Sequence, residues 1–146
     1  EVNVVAAMKA NNAIIGGEGN GGIILPESHY GRDALVGIAL FLSLLAEKQM
    51  SVSTLKNTYP LYFMSKKKID LNPNIDVDAL LSAMEKSYQN EPLTTVDGVK
   101  IDFPDSWVHL RKSNTEPIIR IYTEAPTQQQ ADALAERFIS ELKALS

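Results

Sequence analysis

Apolar residues return at helical spacing most clearly near the end of the chain. Leu134, Phe138, Leu142 and Leu145 fall on one stripe, joined by Ala131, Ala135 and Ile139, and that recurrence lays an apolar face along a helix. Thr127 and Gln130 stand at capping-box spacing just after Pro126, which sets the helix start. Residues 76–89 repeat the pattern with Val77, Leu80, Leu81, Met84 and Tyr88, and Asp76 is placed as the cap. Alternation is the signal elsewhere in this half. "LYFMSKKKIDL" (61–71), "TTVDGVKIDFP" with a turn at Asp97-Gly98, "SWVHLRK" and "PIIRIYTEA" all read as extended. The order β-α-β-β-β-α predicts an α+β domain, an antiparallel sheet with helices packed on one face.

The first half reads differently. Residues 2–10 suit a short helix, "AIIGG" (13–17) a buried strand, and "GIILP" (22–26) a second extended run. "ALVGIALFLSLLA" (34–46) is apolar nearly all round, so it predicts a buried core helix over about 33–48 with Asp33 as its cap. It is too short for a membrane span of roughly 20 apolar residues. A short helix over 51–58 is stopped by Pro60. Strand, glycine-rich loop and helix in this order have an α/β character, yet too few elements for a complete domain. The expected division is 1–59, an α/β remnant, and 60–146, the α+β domain.

Composition narrows the function. A net charge of −4 over 146 residues argues against nucleic acid, whose binding calls for a broad basic face. There is no cysteine and only two histidines, so disulfides, thiolate metal sites and histidine-rich metal sites are excluded, and a reducing compartment is expected. The chain opens at Glu1 without a methionine or a charged leader, which reads as a piece of a longer protein.

Two loops carry the chemistry. In "GGEGNGG" (16–22), five of seven residues are glycine, and Glu18 and Asn20 are the side chains left on display. In "LRKSNTEPIIR" (110–120), Arg111 offers a planar fork of donors to an oxyanion, and Ser113, Asn114 and Thr115 add hydroxyl and amide donors beside it. Arg120, on the following strand, adds a second positive charge. On residue types alone, this second loop is either an anion site or a polar hairpin whose Ser113 and Asn114 bond to their own backbone. Neighbouring features have plainer readings: Lys66, Lys67 and Lys68 as a solvated strand edge, Trp107 as core, and His29 and His109 as surface groups.

The pair of loops, in this order, resembles the α-D-phosphohexomutase family of phosphomannomutase, phosphoglucomutase and phosphoglucosamine mutase. The resemblance covers the whole chain, from the end of the family's third domain through its fourth. It implies transfer of phosphate between the 1 and 6 positions of a hexose through a bisphosphorylated intermediate, in a cytoplasmic enzyme. It assigns sugar binding to Glu18 and Asn20 and phosphate binding to Arg111, Ser113, Asn114 and Thr115; beside them, Gly21 is a candidate for sugar binding and Arg120, by its charge, for phosphate binding. The two loops are expected to converge on one ligand. Many members carry serine where Asn20 stands, and some carry histidine where Gly22 stands, which leaves the proton-transfer group open. The "GEGNGG" form is most similar to the phosphoglucosamine mutase-like and phosphomannomutase-like branch.

The family's nucleophile and Mg²⁺ loop find no match in this chain. Its only Ser-His pair is Ser28-His29, followed by tyrosine, and Asp76-Val77-Asp78 fits a helix cap better than a metal loop. No catalytic residue and no metal ligand is therefore assigned here, and Mg²⁺ would be held by the parent enzyme's other domains. The expected partners are a hexose phosphate or bisphosphate and those missing domains, with no nucleic acid and no membrane. By itself the chain is expected to be inactive. A stand-alone phosphosugar-binding module and a protein-interaction domain are the competing readings.

Overall fold

The structure, a computed structural model, describes residues 2–72, 75–113 and 116–145. The chain divides into two units, Glu1–Pro60 and Leu61–Ser146.

The first unit contains α1 (Val2–Asn11), β1 (Gly16–Gly17), β2 (Ile23–Ile24), α2 (Ala34–Lys48) and α3 (Val52–Lys56). β1 and β2 pair antiparallel, Gly16 opposite Ile24 and Gly17 opposite Ile23, so the glycine loop is the tip of a two-stranded ribbon. The Asp33 carboxylate accepts from the Leu35 and Val36 N–H groups and starts α2, and Gln49 in the left-handed region ends it.

Two expectations fail in this unit. Residues 13–17 do not form a buried strand: Ile14 is 83% exposed and the strand shrinks to its two glycines. α2 is capped as expected but buries none of its residues, and Leu35 is 78% exposed. A helix apolar all round needs packing on more than one side, and a two-stranded ribbon with two small helices supplies too little surface for that.

The second unit is built on a five-stranded sheet in the order β3-β7-β6-β5-β4, every pairing antiparallel. The strands are β3 (Phe63–Asp70), β4 (Leu93–Thr94), β5 (Val99–Asp102), β6 (Trp107–Lys112) and β7 (Ile118–Ala125), with α4 (Val77–Ser87) after β3 and α5 (Gln128–Leu145) last. The segment expected as one extended run around Asp97-Gly98 is the β4–β5 hairpin, so the order becomes β-α-β-β-β-β-α. Both predicted caps are present: Asp76 accepts from the Asp78 and Ala79 N–H groups, and the Thr127 hydroxyl accepts from Gln130 N–H.

Period-two alternation sends Ile69, Val99, Ile101, Val108, Leu110, Ile119 and Ile121 to one face, where they share a core with Leu80, Leu81 and Met84 of α4 and Ala135, Phe138 and Leu142 of α5. Both helices therefore cover the same face. Polar groups on that side are paired. Thr123 donates to Ala131 O at 2.7 Å and Ser65 to the Asp132 carboxylate at 2.6 Å. Tyr88 stacks on Phe138 with ring centroids 5.2 Å apart and donates to Glu141 at 2.8 Å. Burial first, and then that carboxylate, push its phenol above the usual range. Leu145 departs from the predicted stripe: it is 49% exposed and lines an open groove with Ile75, Ala79 and Leu80.

The buried and exposed members of the α5 stripe should separate in stability. Phe138→Ala is expected to cost about 3–5 kcal/mol, whereas Leu145→Ala stays within about 0.5 kcal/mol. Urea unfolding followed by circular dichroism measures both.

Candidate functional site

In the first unit, the tip of the β1–β2 ribbon is a tight turn. Gly21 N–H donates to Glu18 O and Glu18 N–H to Gly22 O, both at 3.0 Å, with Gly21 in the left-handed region at φ 89°. Side chains with a Cβ rarely adopt that backbone conformation. Asn20 works in two directions. Its Oδ1 accepts from Gly22 N–H at 3.0 Å and its Nδ2 approaches Glu18 Oε2 at 3.4 Å. The amide thus braces the turn and steadies the carboxylate. Glu18, Asn20 and Gly21 share this turn.

Arg32 stands beside this loop, with Nη1 4.0 Å from Glu18 Oε2. Together with Asn20, Gly21, Gly22 and Asp33 it lines an open depression of about 500 Å³. The turn bearing Arg32 is fixed on both sides. Asp33 N–H donates to Ile23 O at 2.9 Å, and Gly31 N–H donates to His29 Nδ1 at 2.9 Å. Because that ring nitrogen accepts, Nε2 carries the proton and donates to Asp33 Oδ2 at 3.2 Å. His29 is exposed but structural. The Asp33 carboxyl is held below the usual carboxylate range, first by Val36 N–H, then by His29 and Leu35 N–H.

In the second unit, Arg111 and Ser113 lie at the end of β6 and Arg120 on β7. Arg111 and Arg120 are register partners on these strands, and both are exposed on the face the helices leave open. Lys68 of β3 is the register partner of Arg120 on its other side. Three cations therefore stand in a row across three strands. Lys68 leans on Asp70 at 3.3 Å and Arg111 on Asp97 at 3.1 Å, while among the described residues no carboxylate pairs with Arg120. Like charges directly opposite one another destabilise a sheet, so this row is suited to an anion. A depression of about 300 Å³ opens between Lys66, Lys68, Glu116, Arg120 and Tyr122. The loop base is closed by Ser113 N–H donating to Ile118 O at 3.0 Å. It is tied to α4 by Lys112, whose ammonium donates to both Asp78 oxygens at 2.7 Å. Asn114 and Thr115 lie outside the described residues.

The lysine run divides by face. Lys66 and Lys68 are exposed on edge strand β3, whereas Lys67 points to the helix side and pairs with Glu136 at 2.8 Å. Trp107 is not core, as residue type suggested. It lies half-buried on the open face and donates from Nε1 to Glu124 at 3.0 Å, because β6 presents its even positions to the helices. Asp97 had been legible only as a turn residue. Gly98, at φ 80°, lies so close to β6 that an added Cβ would collide with Leu110 O, and this approach brings Asp97 to Arg111. Arg32 carried no spacing signal at all, only its place before a cap.

Two stretches match known domains. Residues 1–62 match the α/β/α domain III of phosphoglucomutase/phosphomannomutase, and residues 68–141 match the C-terminal domain of the same enzymes. The chain belongs to the phosphoglucomutase/phosphomannomutase family. A phosphoglucosamine/phosphogalactosamine mutase of Sulfurisphaera tokodaii is 38% identical over 97% of this chain, and a phosphoglucomutase/phosphomannomutase of Thermococcus kodakarensis is 37% identical over 96%. The chain spans 31% of the length of each of these relatives. Among solved structures, a phosphoglucomutase/phosphomannomutase family protein from Burkholderia thailandensis superposes with a TM-score of 0.71 at 25% identity, covering 97% of this chain and 30% of that one. Among the described residues, no group of three or more His, Asp or Glu side chains is arranged to hold a metal ion, and no helix is long and apolar enough to cross a membrane. Asp76 and Asp78, the nearest approach to the family's Asp-rich metal loop, are occupied by the α4 cap and by Lys112. They do not fit Mg²⁺.

Acid should loosen the turn that holds Arg32. The Asp33 carboxyl is depressed in the folded state, so its contribution is complete above the ordinary aspartate pKa of about 3.9 and is lost as pH falls through the lower folded value. The Leu35 and Val36 amide shifts are expected to titrate together below pH ~3.9, and Asp33→Asn should abolish that titration. An NMR pH series checks it.

Proposed function

We propose that this chain is the sugar- and phosphate-recognising C-terminal part of a phosphohexomutase that moves phosphate between the 1 and 6 positions of a hexose through a bisphosphorylated intermediate. The observation that carries this reading is the open-face arginine pair. In a chain of net charge −4, Arg111 and Arg120 sit in register beside the Ser113 turn, within a domain that this family uses. Family membership supports the chemistry, and the donor set suits a small dianion better than a polymer.

On this reading, residues 1–59 contribute hydroxyl recognition through Glu18, Asn20 and Gly21. Residues 60–146 contribute phosphate recognition through Arg111, Ser113, Asn114, Thr115 and Arg120. A carboxylate accepts from two adjacent hydroxyls at once, which fits Glu18 to a ring presented in either orientation. Arginines surrounded by rotatable donors grip the phosphate that is not reacting, with charge-assisted bonds of about 1.5–3 kcal/mol each. The nucleophile and Mg²⁺, which would offset charge developing on the transferred group, belong to the enzyme's other domains. The isolated chain is therefore inactive and binds a hexose phosphate only weakly, since association itself costs on the order of 4 kcal/mol or more. Hexose phosphates and those domains are its partners, in the cytoplasm, with no role for nucleic acid or membrane.

The test is to assay the full-length protein containing this chain against mannose, glucose and glucosamine phosphates. Turnover of at least one is expected, with Arg111→Ala and Arg120→Met each lowering kcat/KM roughly ten-fold or more. Binding without turnover would mark a non-catalytic phosphosugar module. Variants with unchanged kinetics would remove the phosphate role.

A further inference from the structure

We propose that Arg32 is a ligand-binding residue of the sugar loop: its guanidinium steadies the Glu18 carboxylate and donates to the hydroxyl oxygens whose protons Glu18 accepts. This rests on the reading of that loop as a hydroxyl-recognising one.

The first argument is one of donors and acceptors. A sugar hydroxyl both gives a proton and offers lone pairs, whereas an ionised carboxylate only accepts. Asn20 has one Nδ2–H directed at Glu18 at 3.4 Å and its Oδ1 taken by Gly22 N–H, which leaves it at most one N–H for a ligand. Arg32 brings five N–H donors in a rigid fork, stands 4.0 Å from Glu18 Oε2 and lines the depression with Asn20 and Gly21.

The second argument is steric and independent of the first. Gly22 is not in the left-handed region, so backbone conformation does not account for a glycine there. A Cβ at that position would meet Arg32 Cδ at 2.6 Å and Arg32 Cγ and Asn20 Oδ1 at 3.2 Å. The missing side chain is the bed in which the arginine stem lies. A third feature is the anchorage of the turn. Asp33 N–H bonds to Ile23 O, and Leu25 bridges to His29, so Arg32 is presented from a tethered segment.

Gly22 and Arg32 should therefore act as one unit. In the full-length enzyme, Arg32→Met is expected to lower kcat/KM for a hexose phosphate about ten-fold or more. Gly22→Ala should lower it in the same direction by displacing the arginine. The double variant should be no worse than Arg32→Met alone, since both changes break the same contact. Unchanged kinetics in Arg32→Met, or losses that multiply in the double variant, would overturn the proposal. Arg32→Lys, which keeps the stem and charge, should recover part of the loss, and it decides the matter if Arg32→Met fails to fold. Failure of the functional reading looks different: the wild-type enzyme would turn over no hexose phosphate. An NMR titration of the Glu18 carboxyl in this chain then still decides the contact. Arg32→Met should raise its pKa, and an unmoved titration counts against the inference.

Discussion

The pairing of β6 with β7 is the constraint on which the second unit depends. Side chains alternate along a strand, so register decides everything about which groups meet water. With Leu110 opposite Ile121 and Arg111 opposite Arg120, the leucine and isoleucine close the core while the arginines face out together. A slip of β6 by one residue would turn the Arg111 guanidinium into the core and expose Val108 and Leu110. That is a penalty of many kcal/mol, dominated by unpaired buried charge. The same alternation that builds the core therefore also lines up Lys68, Arg120 and Arg111 on the open face, and Lys112, sent to the other side, clamps the loop base onto α4.

The glycine loop reaches order by a different route. Its strands are two residues each, too short to specify a shape by packing. Short-range bonds do the work instead: two backbone bonds across the turn, the Asn20 amide on Gly22, and the His29–Asp33 pair behind it. Each is worth about 1 kcal/mol net, so the loop is well formed but easily remodelled. On the proposed hydroxyl-recognising role, such a loop follows a ring presented in two orientations more readily than a sheet face can.

What could be read from sequence divides along the same line. α4 and α5 were legible because local spacing and caps agree with the packing. α2 misled: all-round apolar character normally means burial, yet the first unit has no layer to cover it. Trp107 misled because residue type outweighed its parity with His109 and Arg111, which place it on the open face. Asp97 and Arg32 were invisible in their roles for a tertiary reason. One reaches Arg111 only because Gly98 lets two strands approach, and the other reaches Glu18 only because Gly22 leaves room for its stem.

The arginine pair has a thermodynamic corollary. If Arg111 and Arg120 hold phosphate as proposed, a dianion that binds the native state alone raises its stability by an amount that grows with occupancy. The melting temperature of the second unit thus belongs to the chain and its buffer jointly. Sulfate or phosphate solutions would report a sturdier protein than chloride solutions do, with no atom of the polypeptide changed.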